Sequence, residues 1–352
     1  MTESFFQPPI NEVQGDERAM RDAGSRITDP SSTVAGGRTL DHKEIIRDTS
    51  SQAPVWIRRL VWKIAIATLL LMAVGSATRV MNAGLACPDW PLCYGKLVPT
   101  QQMNLQVFLE WFHRLDAALI GVSAIALIGL SWWYRRSIPR WLPYASSFAL
   151  FLIVFQGILG GLTVTELLRF DIVTAHLGTA LLFFCTLVII GTALTPYEGT
   201  QAAGKLKWLG LTAAMLIYLQ SILGGLVASR WALHQCFTGS QLCTVMNSHI
   251  AGVFPPTIAA IALVWLAWRT PGLHSTLRKL ANAAAGLVGL QILLGIATFK
   301  LRLQVEPLTI THQAIGAILL GVLVAFSVLA IRDVNTTNIL PTKVKSTIEI
   351  TK

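Results

Sequence analysis

Thr309–Ile331 reads TITHQAIGAILLGVLVAFSVLAI, 23 consecutive residues without a charged side chain. At about 1.5 Å per residue, a helix of that length crosses a hydrocarbon layer of ~30 Å. A helix apolar on every side offers water no face, so it belongs in lipid or deep inside a large protein. Seven further runs of similar character occur, at roughly 60–80, 110–133, 142–163, 172–194, 207–229, 246–268 and 279–299. Of 352 residues, 53% are hydrophobic and 13% charged, against about 25% charged in soluble domains. The deficit is deeper along the spans, because residues 1–54 hold 15 of the 46 charges (28 Lys/Arg and 18 Asp/Glu), 6 basic and 9 acidic. A soluble enzyme, a secreted disulfide scaffold and a nucleic-acid binder are thereby excluded. The chain reads as an all-α polytopic membrane protein with eight transmembrane helices surrounded by membrane lipid.

The net charge of +10 is distributed along the chain in a way that specifies topology. Fifteen basic residues, among them Arg58, Arg59, Arg135, Arg136, Lys205, Lys207, Arg278 and Arg332, flank one set of span ends. Five, Lys96, Arg169, Arg230, Lys300 and Arg302, flank the other. Basic loops stay inside, so both termini are expected in the cytoplasm of a bacterial plasma (inner) membrane, or in the matrix of a mitochondrion. Nine acids in the N-terminal segment argue against a transit peptide. Residues 1–54 and 333–352 are polar, lack an apolar period and are expected to form cytoplasmic tails, the first disordered. Between them, 55–200 and 201–332 form two halves.

Internal repetition divides the halves. Gln156–Gly161 reads QGILGG, Gln220–Gly225 reads QSILGG and Gln291–Gly295 reads QILLG. Small residues in apolar helices ordinarily serve close packing, but the histidines turn the likeness into an alignment. His113 to His249 and His176 to His312 are both 136 positions, Gln156 to Gln291 is 135, and Gly75 to Gly224 and Cys87 to Cys236 are both 149. Each half therefore has four spans with equivalent landmarks, and an even number of spans makes them parallel repeats. The expected architecture is two parallel-repeat four-helix bundles.

His113, His176, His249 and His312 each fall near the start of an outside-to-inside span, at one depth, whereas His42, His234 and His274 fall in tail or loops. One intramembrane histidine is ordinarily a packed, hydrogen-bonded residue. Four at a common depth, paired by a repeat, point to ligation, because polar groups in lipid are expensive to keep. Two histidines facing each other across a four-helix bundle suit axial ligation of haem iron, while zinc or copper sites recruit three or four ligands. One bis-histidine haem site per half is the economical assignment.

The cysteine pairs Cys87–Cys93 and Cys236–Cys243 sit in equivalent external loops and are expected to form disulfides, with thiolate metal binding or a redox relay as the alternative. Cys185 lies inside a span as an apolar residue. The repeats differ around the first histidine. Glu110, Arg114 and Asp116 correspond to Met246, Ile250 and Gly252. Glu110 lies one helical turn from His113, and either pairs with Arg114 at spacing four or acts on a ligand at His113. Asp116 is about 240° round the helix from Glu110 and should face elsewhere. Arg79 and Arg114 are candidates for haem propionate or ion-pair partners.

GSATRVMNAGLACPDWPLC (Gly75–Cys93), EWFHR (Glu110–Arg114), QGILGGLTV followed by His176, QSILGGLVAS followed by the Cys236 and Cys243 pair, His249, and THQAIG around His312 occur in order. Over about 60–331 the chain resembles the haem A synthase family. That resemblance implies an enzyme that oxidises the C8 methyl of haem O to a formyl group, for use in haem-copper oxidases. It implies His113 and His176 flanking the substrate haem, Glu110 in catalysis, and His249 and His312 ligating a haem b cofactor. It also implies haem O synthase as a functional neighbour, beside an electron donor that the sequence does not identify. The oligomeric state, monomer or homo-oligomer, is left open. Two rivals follow from the residues: a dihaem b-type electron carrier, whose ligands should sit at two depths, and a parallel-repeat transporter, whose helices should break near the midplane.

Overall fold

The computed structural model describes residues 54–228, 242–301 and 304–335. These form α1 (Val55–Val80), α2 (Leu105–Trp133), α3 (Leu142–Thr165), α4 (Phe170–Ala193), α5 (Leu206–Val227), α6 (Leu242–Ala251), α7 (Phe254–Arg269), α8 (Ser275–Lys300) and α9 (Glu306–Asn335). Eight helices are long and apolar enough to cross a membrane, the sixth being Thr244–Arg269, which contains most of α6 and all of α7. Every expected span is met within a few residues. The expected N-terminal tail, most of the C-terminal tail, His42 and His234 lie outside the described residues.

Local signals set the ends. α2 starts at Leu105, five residues before its apolar run, because Asn104 accepts the Val107 N–H at 2.9 Å. That is an N-cap satisfying one of the four donors a helix start leaves free. α8 begins similarly: His274, placed in a loop by the sequence, is half-buried, accepts the Thr276 N–H at 3.1 Å and packs on the Tyr197 ring. The sixth span is broken at Gly252–Val253, which its unbroken apolar pattern does not announce. Pro255 and Pro256 cannot donate to the carbonyls one turn back. At Gly252, an added Cβ would lie 2.5 Å from the Gln220 side chain and 2.7 Å from the Ser248 carbonyl.

Helix contacts close two rings. In one, α1 packs on α2, α2 on α3, α3 on α4 and α4 on α1; in the other, α5 packs on α6 and α7, α7 on α8, α8 on α9 and α9 on α5. α1 and α4 meet α9, and α4 also meets α5, where the rings join. α4 and α9 are the central helices, with 56% of their spanning windows buried against 33% or less in the others. Phe183 and Leu187 from α4 and Leu319, Leu320, Leu323 and Phe326 from α9 are fully buried there. The outward faces of α2, α3 and α7 expose Val122, Ile125, Phe151, Ile258 and Ile261, which suits lipid on that side.

At the end of the bundle carrying Arg58 and Arg332, a buried carboxylate fixes the junction. Asp333 accepts from the Tyr197 hydroxyl at 2.9 Å, the Thr200 N–H at 2.8 Å and the Ala203 N–H at 2.9 Å. Arg332 donates to the carbonyls of Thr192 and Thr195 at 2.9 and 2.7 Å. Burial, and then the Asp333 carboxylate, push the Tyr197 phenol above its ordinary range.

Candidate functional site

At the opposite end of the first ring lies a cavity of about 880 Å³, lined from all four helices and by the loop after α1. His113 from α2 and His176 from α4 both line it. Each ring is backed by a glycine on the preceding helix: a Cβ built on Gly75 would lie 2.9 Å from His113 Cε1, and one on Gly160 3.3 Å from His176 Cε1. Any side chain there would push the imidazole, so glycine lets the ring lie flat on its neighbour. The Nδ1 atoms of both rings are buried and have no hydrogen-bond partner. Two imidazoles brought from two helices to one cavity are an arrangement that suits a ligand held between them.

The loop between α1 and α2 covers the cavity and is held from α2. Cys87 and Cys93 are joined in a disulfide, both buried. Glu110, 4% exposed, accepts the Cys87 N–H at 2.8 Å on Oε2 and pairs with Arg114 at 2.5 Å on Oε1. Arg114 also donates to the carbonyls of Cys87, Asp89 and Leu92. Asp89 accepts the Tyr94 and Gly95 N–H groups at 2.6 and 2.7 Å, closing a turn in which both residues have positive φ. These bonds, the Gly95 one foremost, hold the Asp89 carboxyl below the usual carboxylate range. Trp90 covers Gly161 of α3, where a Cβ would meet its ring at 3.3 Å.

Glu110 and Arg114 both line the cavity, as does Arg79, and Asp116 does not. Of the two candidate arginines, Arg114 has the ion pair. Arg79 instead donates from Nη2 to Gln313 of α9 at 3.1 Å, leaving a buried Nε without a partner. Gln313 follows His312, so the bond runs from this cavity to the helix of the second histidine pair.

That second pair repeats the packing. A Cβ on Gly224 would lie 3.0 Å from His249 Cε1, and one on Gly295 3.2 Å from His312 Cε1. Gln220 Nε2 lies 3.0 Å from His249 Nδ1 and donates to the His249 carbonyl at 2.7 Å. Gln291 Nε2 lies 3.4 Å from His312 Nε2, and His312 Nδ1 is a buried orphan. Gln156, at the same distance before its glycine, lines the first cavity with an unpartnered Oε1. The sequence repeats had marked these glutamines without giving them contacts; their place four residues before the histidine-facing glycine was the available signal. Only α1 lacks one, having Leu71 before Gly75. The expected Cys236–Cys243 disulfide lies outside the described residues. Among the described residues, no three His, Cys, Asp or Glu side chains gather closely enough to hold an ion.

The family model of the cytochrome oxidase assembly proteins, COX15-CtaA, matches residues 58–324. The chain belongs to this family. Its relatives include a heme A synthase of Shewanella oneidensis, 28% identical over 327 residues that span 76% of this chain and 96% of that protein. A heme A synthase of Caulobacter vibrioides is 29% identical over 339 residues, 80% of this chain and 96% of the relative. One of Rhodospirillum centenum is 27% identical over 325 residues, 75% and 86% of the two. The COX15-CtaA match reaches all eight membrane helices, beginning within the first and ending within the last, and takes in both histidine pairs, Glu110 and the disulfide loop.

Proposed function

We propose that this chain is a haem A synthase, a membrane oxidoreductase that converts the C8 methyl of haem O into a formyl group. The observation that carries the reading is the cavity of the first ring, where two histidines with orphaned ring nitrogens share one space with a buried Glu110–Arg114 pair. The relatives' name supplies the substrate. The residues fit it: imidazoles from two helices are a bis-axial donor set, and about 880 Å³ lies in the upper range of small-molecule pockets. Residues 55–200 are the substrate half, with His113 and His176 flanking the haem O iron. Residues 201–332 are the cofactor half, a parallel repeat of the first, in which His249 and His312 would hold haem b. The glycine-backed rings and the orphaned His312 nitrogen fit that group. Haem b, when bound, supplies one-electron transfer.

The chain's own residues divide the remaining work. Glu110 carries lone pairs beyond the two that Arg114 and Cys87 occupy, and relays protons as the methyl is oxidised to an alcohol and then to a geminal diol, which loses water to the aldehyde; dioxygen is the oxidant, each oxidation taking one O2, two electrons from the donor and two protons, placing one oxygen atom on the carbon and releasing the other as water. Arg114 pairs with Glu110 and ties down the disulfide loop, which keeps bulk water from the cavity. Arg79 pairs a haem propionate. Both termini are cytoplasmic, the disulfide loop faces outward, haem O synthase supplies the substrate, and a separate electron donor serves the haems. Expression in a membrane that makes haem O but no haem A tests the function: extracted pigment should contain haem A, and haem O alone overturns the proposal.

A further inference from the structure

The cavity is longer than a bis-histidine site requires. Along α2 its lining runs from Glu110 through His113 to Ile125, and twelve helical residues past His113 is about 18 Å. Its two ends differ in chemistry. Arg79, Glu110 and Arg114 line the end under the disulfide loop, whereas Leu71, Met72, Ile120, Leu150, Ile153 and Phe183 line the other, which has no charged residue. A porphyrin ring between His113 and His176 occupies the polar end, and the apolar end lies beyond the ring's edge.

The apolar end is also open between α2 and α3. Gly121 and Gly157 line it, and a Cβ added to either would meet nothing within 4 Å. These glycines differ from Gly75 and Gly160, which sit against imidazoles. Ile125 and Val154 at the mouth are 59% and 56% exposed, so the groove communicates with the bilayer.

We infer that this groove between α2 and α3 seats the isoprenoid tail of haem O, and that Gly121 and Gly157 select the tailed substrate over haem b at the first histidine pair. The inference rests on the substrate reading above. Haem O differs from haem b in bearing a hydroxyethylfarnesyl group in place of one vinyl, so its extra part is long, apolar and attached at the ring edge. With propionates toward Arg79, the tail points along the helices into the uncharged end. Lipid solvates such a tail as well as protein does, so the groove selects by shape and close contact, not by transfer from water.

The test titrates the full chain, carrying its haem b, with haem O and separately with ferric haem b in detergent, following the Soret band. The variants are Gly121→Leu and Gly157→Leu, with Val154→Trp as a second way to block the mouth if either disturbs folding. Wild type should prefer haem O. The variants should lose haem O affinity by about tenfold or more, the scale of one misfit group in a shaped pocket, while binding added haem b as wild type does. Equal loss of both haems, or undiminished haem O affinity in all three variants, overturns the inference. Wild type binding neither added haem overturns the substrate reading of the cavity, and the tail groove falls with it.

Discussion

Glu110 has both carboxylate oxygens occupied, one by Arg114 and one by the Cys87 N–H. A purely structural acid would look the same, so the decisive comparison is between two substitutions. Glu110→Gln keeps the size but brings an N–H against either the Cys87 N–H or the Arg114 guanidinium, and removes the proton acceptor. Arg114→Lys keeps the charge but cannot reach three loop carbonyls from one fork. If Glu110 moves protons, Glu110→Gln lowers haem A formation by roughly 10²- to 10⁴-fold, with haem O or its hydroxylated form left bound, while Arg114→Lys costs much less. Equal losses assign Glu110 to the loop alone. The Glu110–Arg114 pair was readable from a spacing of four on a helix. The three carbonyls that Arg114 gathers were not, because loop conformation is set by contacts distant in sequence.

The eight spans were legible because lipid demands long uninterrupted apolar runs whose backbone bonds close internally. The break in the sixth span was legible only in part: Pro255 and Pro256 signal it, but the Gln220 contact that excludes a side chain at Gly252 is tertiary. The break lies three residues from His249, in the span that carries the first histidine of the second pair. The fastening of α9 to the loop after α4 was illegible, since Arg332 counts equally well as a cytoplasmic anchor. Asp333→Ala leaves the Thr200 and Ala203 N–H groups without their acceptor. Hydrogen bonds to a charged group are each worth roughly 1.5–3 kcal/mol, so the detergent-solubilised variant should unfold at a clearly lower temperature. An unchanged midpoint would show that the junction is held by apolar packing of α4 on α9 alone.

For the molecule as a whole, the disulfide loop and the Asp333 fastening lie at opposite ends of the bundle, and the topology proposed from the basic bias has the loop outside. Leu97 in that loop is 81% exposed. Leu97→Cys should react with a membrane-impermeant thiol reagent in intact cells, and labelling only after lysis reverses the topology. The histidine offsets of 136 matched the two pairs in sequence, but that each of the four imidazoles lies against a glycine of a neighbouring helix was not readable from them, because a close approach between helices is tertiary. Nothing in those offsets could announce Arg79–Gln313, which joins the two halves and has no counterpart among the repeated motifs.

Two unlike haem sites, one for substrate and one for cofactor, are the centre of the account, and haem extraction from the purified chain tests them most directly. Wild type made in cells that supply haem O should yield haem b together with haem O and haem A. His312→Ala should lose the haem b, because axial ligands decide haem retention; His113→Ala should keep haem b and yield no haem A. Wild type holding haem b alone, or both variants losing haem b equally, would contradict the account and leave a dihaem electron carrier in its place.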